Sequence, residues 1–205
     1  MVFREPSELP RIFWDLDDTM NSLMEAWLQN QWKKEDRPAC KVEFSQLSEN
    51  PPDQILGCAR QDYYLSLDRF RNSLRGSQLI PRPEILAWFQ LHGSYFEHHV
   101  ITARPPDTVA TAAEWAFRHF GRWVRHFHYT PAARTPERNP GPMITKGEVI
   151  RRLGGGYAMI DDSLEQLESA GDSVKLKILV PQPWNHQSQG LRECLQQLHP
   201  RGSVA

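Results

Sequence analysis

Two acidic residues one position apart are the first candidates for chemistry in this chain. Asp15 and Asp17 follow the apolar run of residues 12–14, where a strand is expected to pass into a turn. Residues i and i+2 of a strand share a face, and both carboxylates can be aimed at one point where the strand ends. One could then act as a nucleophile while the other transfers protons. Because acidic residues also form turns at strand ends, the pair alone leaves both interpretations open.

Two further segments place reactive residue types at the ends of predicted elements. Thr102 follows the apolar run of residues 99–101 and lies at a strand tip. Thr145 and Glu148 have the spacing of a helix capping box, which puts Lys146 in the first turn of a helix. The ammonium group of this lysine can reach a neighbouring anion.

A third segment ends in paired carboxylates. Asp161 and Asp162 follow the apolar run of residues 157–160, so they stand at the end of another strand. Ser163 and Gln166 fit a second capping box, which predicts a helix directly afterwards. Adjacent carboxylates at a strand end suit a hard cation.

In this order, the four segments resemble the four motifs of the haloacid dehalogenase-like superfamily of phosphohydrolases. The family pattern is Asp-x-Asp after a first strand, Ser or Thr after a second, Lys at the start of a helix, and an acidic pair after a further strand. The resemblance covers residues 11–184. The matching residues are Asp15, Asp17, Thr102, Lys146, Asp161 and Asp162.

The resemblance implies a Mg²⁺-dependent phosphomonoesterase that works through an aspartyl-phosphate intermediate. Asp15 would be the nucleophile, and Asp17 would protonate the leaving group and then take a proton from water. An ordinary Asp has a pKa of about 3.9, so Asp17 needs help to hold a proton at neutral pH. Crowding with Asp15 and the acidic pair is the expected source of that help.

The resemblance also implies where metal and phosphate bind. The Mg²⁺ ligands would be the Asp15 carboxylate, the backbone carbonyl of Asp17 and a carboxylate of Asp161 or Asp162, and the pattern does not decide between these two. The substrate phosphate would be held by Thr102, Ala103 and Lys146.

The order of elements predicts the fold class: an α/β, Rossmann-like parallel sheet with helices on both faces. Short apolar runs alternate with helical patterns, and the motifs fall at the carboxyl ends of strands, where such folds bind ligands. The candidate strands are residues 11–14, 98–101, 127–129, 157–160 and 175–180.

A small helical cap is predicted between the first two strands, because the segment is too long for one crossover and its pattern is helical. The division is residues 1–19 and 92–205 for the core domain and 20–91 for the cap, with helices near 21–34, 52–74 and 83–91. Its spaced aromatic residues fit a small core within the cap, or one or two could stack on a nucleobase. They are Trp27, Trp32, Phe44, Tyr63, Tyr64 and Phe70.

Within the superfamily, the arrangement looks most similar to the 5′(3′)-deoxyribonucleotidase-like branch. The supporting features are the helical cap after Asp-Asp-Thr and the late Pro183-Trp184-Asn185. The expected substrate is therefore a small phosphorylated metabolite, in particular a nucleoside monophosphate. The chain departs from that branch in the proline-rich segment 130–142, predicted as an irregular loop with Arg134 and Arg138 towards the substrate, and in Ser163 after the acidic pair.

Two alternatives remain open. One is a phosphatase of nucleic-acid ends, suggested by a basic and aromatic set near the third strand: Arg118, Arg122, Arg125, His126, His128, Trp115 and Trp123. The other is a non-catalytic relative that binds a ligand through the same pocket. The eight histidines show no His-x-x-x-His spacing, so a zinc site is not predicted, and His98 and His99 are expected at a strand edge.

Composition excludes some classes of protein. The formal net charge of −1 argues against a general electrostatic attraction to nucleic acid or to an anionic membrane. The sequence has no run of 18 apolar residues and no apolar stretch typical of a signal peptide near its start. Three scattered cysteines fit reduced thiols. We expect a cytoplasmic protein that does not interact with membranes.

Overall fold

Five parallel strands form a single sheet at the centre of the molecule. A computed structural model describes residues 9–132 and 143–198. The strands are β1 (Arg11–Trp14), β2 (Glu97–Arg104), β3 (Val124–Pro131), β4 (Gly156–Asp161) and β5 (Val174–Leu179). Their order is β3-β2-β1-β4-β5, and every neighbouring pair is parallel. The predicted α/β class and all five predicted strands are confirmed.

Eight α-helices accompany the sheet in the described part of the chain. A π-helix, Leu28–Asp36, continues the first of them, and short 3₁₀ turns precede or follow others. The α-helices are α1 (Leu23–Trp27), α2 (Arg60–Arg71), α3 (Leu74–Ser77), α4 (Pro83–His92), α5 (Val109–Phe120), α6 (Lys146–Arg152), α7 (Leu164–Ser169) and α8 (Leu191–Leu195). Across these residues, no helix is long and apolar enough to cross a membrane.

Helices cover both faces of the sheet, as the buried apolar sequence of β1 requires. Alternate residues of β1 point to opposite sides: Ile12 and Trp14 pack with α4, α5 and α8. Phe13 packs with residues of α6 and α7 on the other side. A central strand with an apolar residue on each face can be buried only between two helical layers.

A second hydrophobic core lies within the segment between β1 and β2. It joins α1, the π-helix and α2 through buried rings and aliphatic side chains, among them Trp27, Trp32, Tyr63 and Phe70. Helix α4, which ends the same segment, packs with the main core instead. The aromatic residues of this segment thus form a core of their own. The division of the chain into two domains stays a prediction.

Several predicted boundaries were wrong. The helix predicted over residues 52–74 begins only at Arg60, because residues 52–58 form turns in which Glu49 accepts hydrogen bonds from the backbone of Gln54 and Ile55. The predicted loop from residue 130 starts later, since β3 continues to Pro131. Arg134 and Arg138 lie outside the described residues.

The pairing of β2 with β3 is irregular at one point. His98 lies opposite Val124, whereas His99 lies opposite His126, so Arg125 is an extra residue in β3. Such a bulge adds one residue to one strand of a pair. Every side chain of β3 beyond Arg125 therefore points to the opposite face from the one that regular pairing would give it.

Candidate functional site

The site is built where β1 and β4 end side by side. The backbone N–H of Asp15 donates to the carbonyl oxygen of Ile160 at 2.9 Å, which extends the pairing of the two strands by one residue. Asp161 and Asp162 follow on the neighbouring strand. One carboxylate oxygen from each of these three aspartates lies within 4.8 Å of the other two, and all three residues are buried.

Lys146 reaches this carboxylate cluster from the start of α6. Its Nζ lies 2.5 Å from Oδ1 of Asp15 and 2.7 Å from Oδ2 of Asp161. The predicted capping box holds the helix start in place, because the Thr145 side chain accepts from the backbone of Glu148 and the Glu148 side chain accepts from the backbone of Thr145. The sequence prediction that Lys146 lies in a first turn and contacts an anion is thereby explained.

The carboxylates carry more negative charge than Lys146 can balance. Burial, and the neighbouring charges of Asp161 and Asp17, raise the pKa of Asp15 to about 7, against the opposing effect of Lys146. Burial and the charge of Asp161 also raise the pKa of Asp162. Burial would lower the pKa of Lys146, but the charges of Asp15 and Asp161 outweigh it and raise that pKa. This cluster would therefore gain from a bound cation.

The donor set fits Mg²⁺, which prefers carboxylate and carbonyl oxygens. Asp161 is already occupied within the protein: Lys146 donates to Oδ2 and the backbone N–H of Ser163 donates to Oδ1 at 2.9 Å. Asp162 accepts from the indole N–H of Trp184 through Oδ2 at 3.0 Å. Asp161 thus accepts hydrogen bonds through both carboxylate oxygens and Asp162 through one. Of the acidic pair, Asp162 is therefore the better candidate to bind a metal ion.

Asp17 is held by two guanidinium groups. Arg104 donates through Nε to Oδ2 at 2.9 Å and through Nη2 to Oδ1, and Arg71 of α2 donates to Oδ2 at 3.0 Å. Burial alone would raise the pKa of Asp17, but the two arginines outweigh it and lower the pKa. The expectation that carboxylate crowding helps Asp17 to hold a proton was wrong for this arrangement.

Thr102 and Ala103 lie at the carboxyl end of β2, beside the end of β1. Thr102 is buried and Ala103 is partly exposed. Because Trp14 pairs with Val100, Asp15 lies level with Ile101, and Thr102 is one residue further along β2 at the same edge of the sheet. All seven sequence-predicted site residues therefore lie at this edge, and their roles in catalysis stay a prediction.

Asp18 is a buried acid that the sequence analysis passed over. It has a left-handed backbone with φ of 59°, and its side chain accepts from the backbone N–H of Met24 at 2.8 Å. Its carbonyl oxygen accepts from Arg82 at 3.2 Å and from Gln182. Burial raises the pKa of Asp18 to about 8. These bonds fix the turn that follows Asp17.

Arg71, Arg104 and Trp184 were also missed. Arg104 had a signal, because it lies two residues after Thr102 on the same strand and so shares its face. Trp184 was noted only as part of a late motif, although its indole holds Asp162. No sequence pattern pointed to Arg71, since its approach to Asp17 depends on how the inserted segment folds.

The cap residues considered for base stacking are mostly internal. Trp27, Trp32, Tyr63 and Phe70 are almost fully buried, so the interpretation as the cap's own core is the one that fits. Phe44 differs, because its ring meets the Trp184 ring edge-on at 5.9 Å.

The basic and aromatic set lies away from the carboxylates. Arg122 and Arg125 stand at the amino end of β3, whereas Asp15 follows the carboxyl end of β1, and all strands run in parallel. Trp115 is buried and donates to the carbonyl oxygen of Leu79 at 2.6 Å. Arg122, Trp123 and Arg125 therefore lie at the other end of the sheet from the candidate site, and Trp115 is part of the main core.

Comparisons with known proteins find solved structures of similar fold. No protein-family model and no curated protein matches this sequence. A haloacid dehalogenase-like family hydrolase from Streptococcus pneumoniae has a TM-score of 0.50 and 14% identity, and the match covers 95% of this chain and 93% of that one. A HAD-superfamily hydrolase of subfamily IA from Geobacter sulfurreducens has a TM-score of 0.53 and 12% identity, covering 93% and 100%.

A third solved structure, a HAD-superfamily hydrolase from Ehrlichia chaffeensis, has a TM-score of 0.52 and 10% identity, covering 93% of this chain and 98% of that one. At such identities the likeness shows a shared fold. It gives no support to the deoxyribonucleotidase-like branch.

Proposed function

We propose that this chain, whose fold is haloacid dehalogenase-like, is a metal-dependent phosphomonoesterase. The observation that carries the proposal is the ion network in which Lys146 bridges Asp15 and Asp161 beside the buried carboxylate of Asp162. A purely structural salt bridge would not need three buried carboxylates around one ammonium, because moving each charge out of water costs on the order of several kcal/mol.

In this proposal Asp15 attacks the phosphorus atom of a phosphate monoester, and the ester oxygen leaves with a proton. Dividing the displacement into formation and hydrolysis of an aspartyl-phosphate lowers each barrier. Lys146 favours the ionised form of Asp15 and positions its carboxylate, and Thr102 and the backbone of Ala103 bind phosphoryl oxygens. Asp15, Asp162 and the backbone carbonyl of Asp17 would hold Mg²⁺, which when bound offsets charge on the phosphoryl oxygens.

Asp17 can transfer a proton only after its guanidinium partners are engaged elsewhere. While Arg71 and Arg104 bind it, the lowered pKa keeps it ionised. A phosphate dianion is a stronger partner for a guanidinium than a single carboxylate. Substrate binding would draw at least one arginine away, and Asp17 would then be able to carry the proton.

The substrate class in this proposal is a small phosphorylated metabolite. The sequence predicts a nucleoside monophosphate, but the buried rings of the cap cannot stack on its base. It stays in the proposal only as one member of the class to be tested. No observation favours a phosphatase of nucleic-acid ends or a non-catalytic relative.

The test is phosphate release from a panel of sugar phosphates, 5′ and 3′ nucleotides, other small phosphomonoesters and phosphorylated oligonucleotide ends. Each would be assayed with Mg²⁺ and with a chelator. Asp15→Asn serves as the inactive blank, and Asp172→Asn, an acidic residue in the 3₁₀ turn before β5, is the matched control. We expect Mg²⁺-dependent release that Asp15→Asn abolishes and Asp172→Asn leaves unchanged.

Trapping the intermediate separates this mechanism from direct attack by water. Acid quenching during turnover should leave phosphate bound covalently to the wild-type chain and none bound to Asp15→Asn. Turnover that survives in Asp15→Asn, or no turnover of any panel member, would contradict the proposal.

A further inference from the structure

A second group of potential metal ligands lies on β2 and β3, away from the aspartates. Glu97 and His99 alternate along β2 and share a face, and the bulge at Arg125 brings His126 opposite His99 on that same face. One carboxylate and two imidazole groups thereby meet near the amino ends of the two strands. Their ligand atoms lie within 4.8 Å of one another.

The spacing of these atoms suits one small metal ion. Oε1 of Glu97 lies 3.0 Å from Nε2 of His99 and 3.4 Å from Nε2 of His126. Tetrahedral Zn²⁺ with bonds of about 2.0–2.1 Å sets its ligand atoms about 3.3 Å apart. The two imidazole rings stack at 4.2 Å with 19° between their planes, so metal binding requires the half-exposed His126 ring to turn towards the point that Glu97 and His99 share.

Neighbouring groups hold the ligands in a suitable state. Nδ1 of His99 lies 2.9 Å from Nε2 of His128, so a metal on Nε2 of His99 would leave Nδ1–H to donate to His128. Metal-bound histidines are usually oriented by such a partner. Of the two carboxylate oxygens of Glu97, Arg11 contacts Oε2, at 3.2 Å, and not Oε1, which faces the histidines.

The group is also accessible. The side chain of His126 is 46% exposed and that of Glu97 is 21% exposed. Both residues line a cavity of about 370 Å³, so two of the three ligands can be reached from solvent. Two cations line it as well, but Arg125 donates to the carbonyl oxygens of Gly121, Val124 and Arg122, and Arg122 lies over the Trp123 ring.

We propose that Glu97, His99 and His126 bind a divalent transition-metal ion, with Zn²⁺ as the expected ion and His128 as the group that orients His99. Imidazole ligands favour zinc and its neighbours, whereas Mg²⁺ and Ca²⁺ require oxygen ligands. This site lies at the amino ends of the strands, so it is separate from the aspartates at the carboxyl ends and does not rest on the proposed activity.

The test is zinc binding to the tag-free, metal-stripped chain in excess Mg²⁺, which keeps the aspartates occupied. Zn²⁺ would be titrated against a chromophoric chelator, and Co²⁺ would report the ligand geometry by its visible absorption. We expect one equivalent of zinc on the wild-type chain. Glu97→Gln and His126→Gln should weaken binding by tenfold or more, as for loss of groups that support a metal site.

Two controls locate the ion. Asp15→Asn should retain the zinc, because it alters only the aspartate group. His186→Asn should also retain it, since His186 is exposed and its left-handed φ of 56° suits Asn. Zinc should raise the melting temperature of the wild-type chain and not that of His126→Gln. Zinc lost in Asp15→Asn but kept in His126→Gln, or no zinc bound at one equivalent, would overturn the proposal.

Discussion

The arginine partners of Asp17 keep its carboxylate from taking up the proton that its expected role requires. The sequence places it correctly, two residues after Asp15, because the period of a strand fixes which side chains share a face. Its protonation depends on Arg71 and Arg104, which arrive from distant parts of the chain. No local pattern could have predicted that pairing, although Arg104 shares the strand of Thr102.

The pairing of Asp17 has a testable effect on stability. Because its pKa is lower in the folded chain than in the unfolded chain, the pairing contributes stability above about pH 4, and this contribution is lost as the pH falls through the folded pKa. Arg71→Gln should lower the free energy of unfolding by about 3 kcal/mol at pH 7, and the loss should shrink below pH 4.

Urea unfolding at several pH values measures this. Arg69→Gln is the matched control on the same helix, because Arg69 is exposed and pairs with Asp36, and exposed pairs contribute about 1 kcal/mol or less. Arg71 also donates to Oδ1 of Asp68 at 3.0 Å, so a loss that is equal at pH 3 and pH 7 would contradict its assignment to pairing with these carboxylates.

The carboxylate cluster predicts the opposite dependence on pH. Since the pKa of Asp15 is raised to about 7 in the folded chain, its contribution to stability is present below about pH 4 and is lost as the pH rises towards 7. Mg²⁺ requires the ionised carboxylates, so its apparent affinity should rise over the same range and its stabilising effect should be greater at pH 8 than at pH 5.

Melting temperatures with and without Mg²⁺, across pH 5 to 8, test this at constant ionic strength. Asp15→Asn should remove most of the dependence. A stabilising effect of Mg²⁺ that does not change with pH would mean that the ion binds elsewhere.

At the scale of elements, the strands and the capping box of α6 were predictable because each follows from short-range chemistry. Apolar runs of the right length identify β1 and β4, and reciprocal capping identifies the start of α6. The second capping box is only half formed: Ser163 accepts from the backbone of Gln166, but the side-chain oxygen of Gln166 has no partner. The predicted helix nevertheless starts there.

The histidine group on β2 and β3 cannot be found from the spacing of metal-ligand residues within one segment. His126 and His128 alternate on one strand, and Glu97 and His99 alternate on the next. Each pair is visible in the sequence, but their meeting depends on strand pairing. The expectation that His98 and His99 lie at a strand edge was wrong, because both are buried on the second strand of the sheet.

Gly147 controls how closely α6 approaches α7. A Cβ atom at this position would lie only 1.9 Å from the carbonyl oxygen of Ser169, so the backbones must separate to admit it. We expect Gly147→Ala to destabilise the chain by about 1–3 kcal/mol and, by moving Lys146, to reduce turnover. Gly190→Ala is the matched control, because its Cβ would meet nothing within 4 Å.

Thermal unfolding and the rate of phosphate release measure the two effects. If Gly147→Ala lost stability but kept full turnover, the position of Lys146 would not depend on the packing of α6 against α7.

At the scale of the molecule, two contacts of the inserted segment reach carboxylates of the candidate site directly or through one side chain. Arg71 pairs with Asp17, and the ring of Phe44 packs on Trp184, whose indole holds Asp162. Any movement of the segment would therefore change the charge around Asp17 and the orientation of Asp162 together. The sequence predicted an insertion at this place, but not where it touches the core, because those contacts join residues far apart in the chain.

Trp184→Phe tests the second point of contact. Phe keeps a ring beside Phe44 and removes the N–H that donates to Asp162, so Mg²⁺ affinity should fall by roughly tenfold, as for other groups that orient metal ligands. Phe44→Leu is the matched control, since it changes the ring contact and leaves the N–H in place. Isothermal titration with Mg²⁺ measures both, and equal affinities for Trp184→Phe and the wild-type chain would contradict the role of the indole.

The extra residue in β3 makes the histidine group depend on strand pairing as well as on residue identity. If β3 paired with β2 without the bulge, Arg125 would lie opposite His99, and His126 and His128 would turn to the other face of the sheet. A relative that lacked one residue at Arg125 would instead pair regularly and keep both histidines on this face. In tracing how this surface arose, a gap at Arg125 in an alignment would therefore be compatible with the same group, whereas a gap between His126 and His128 would place them on opposite faces.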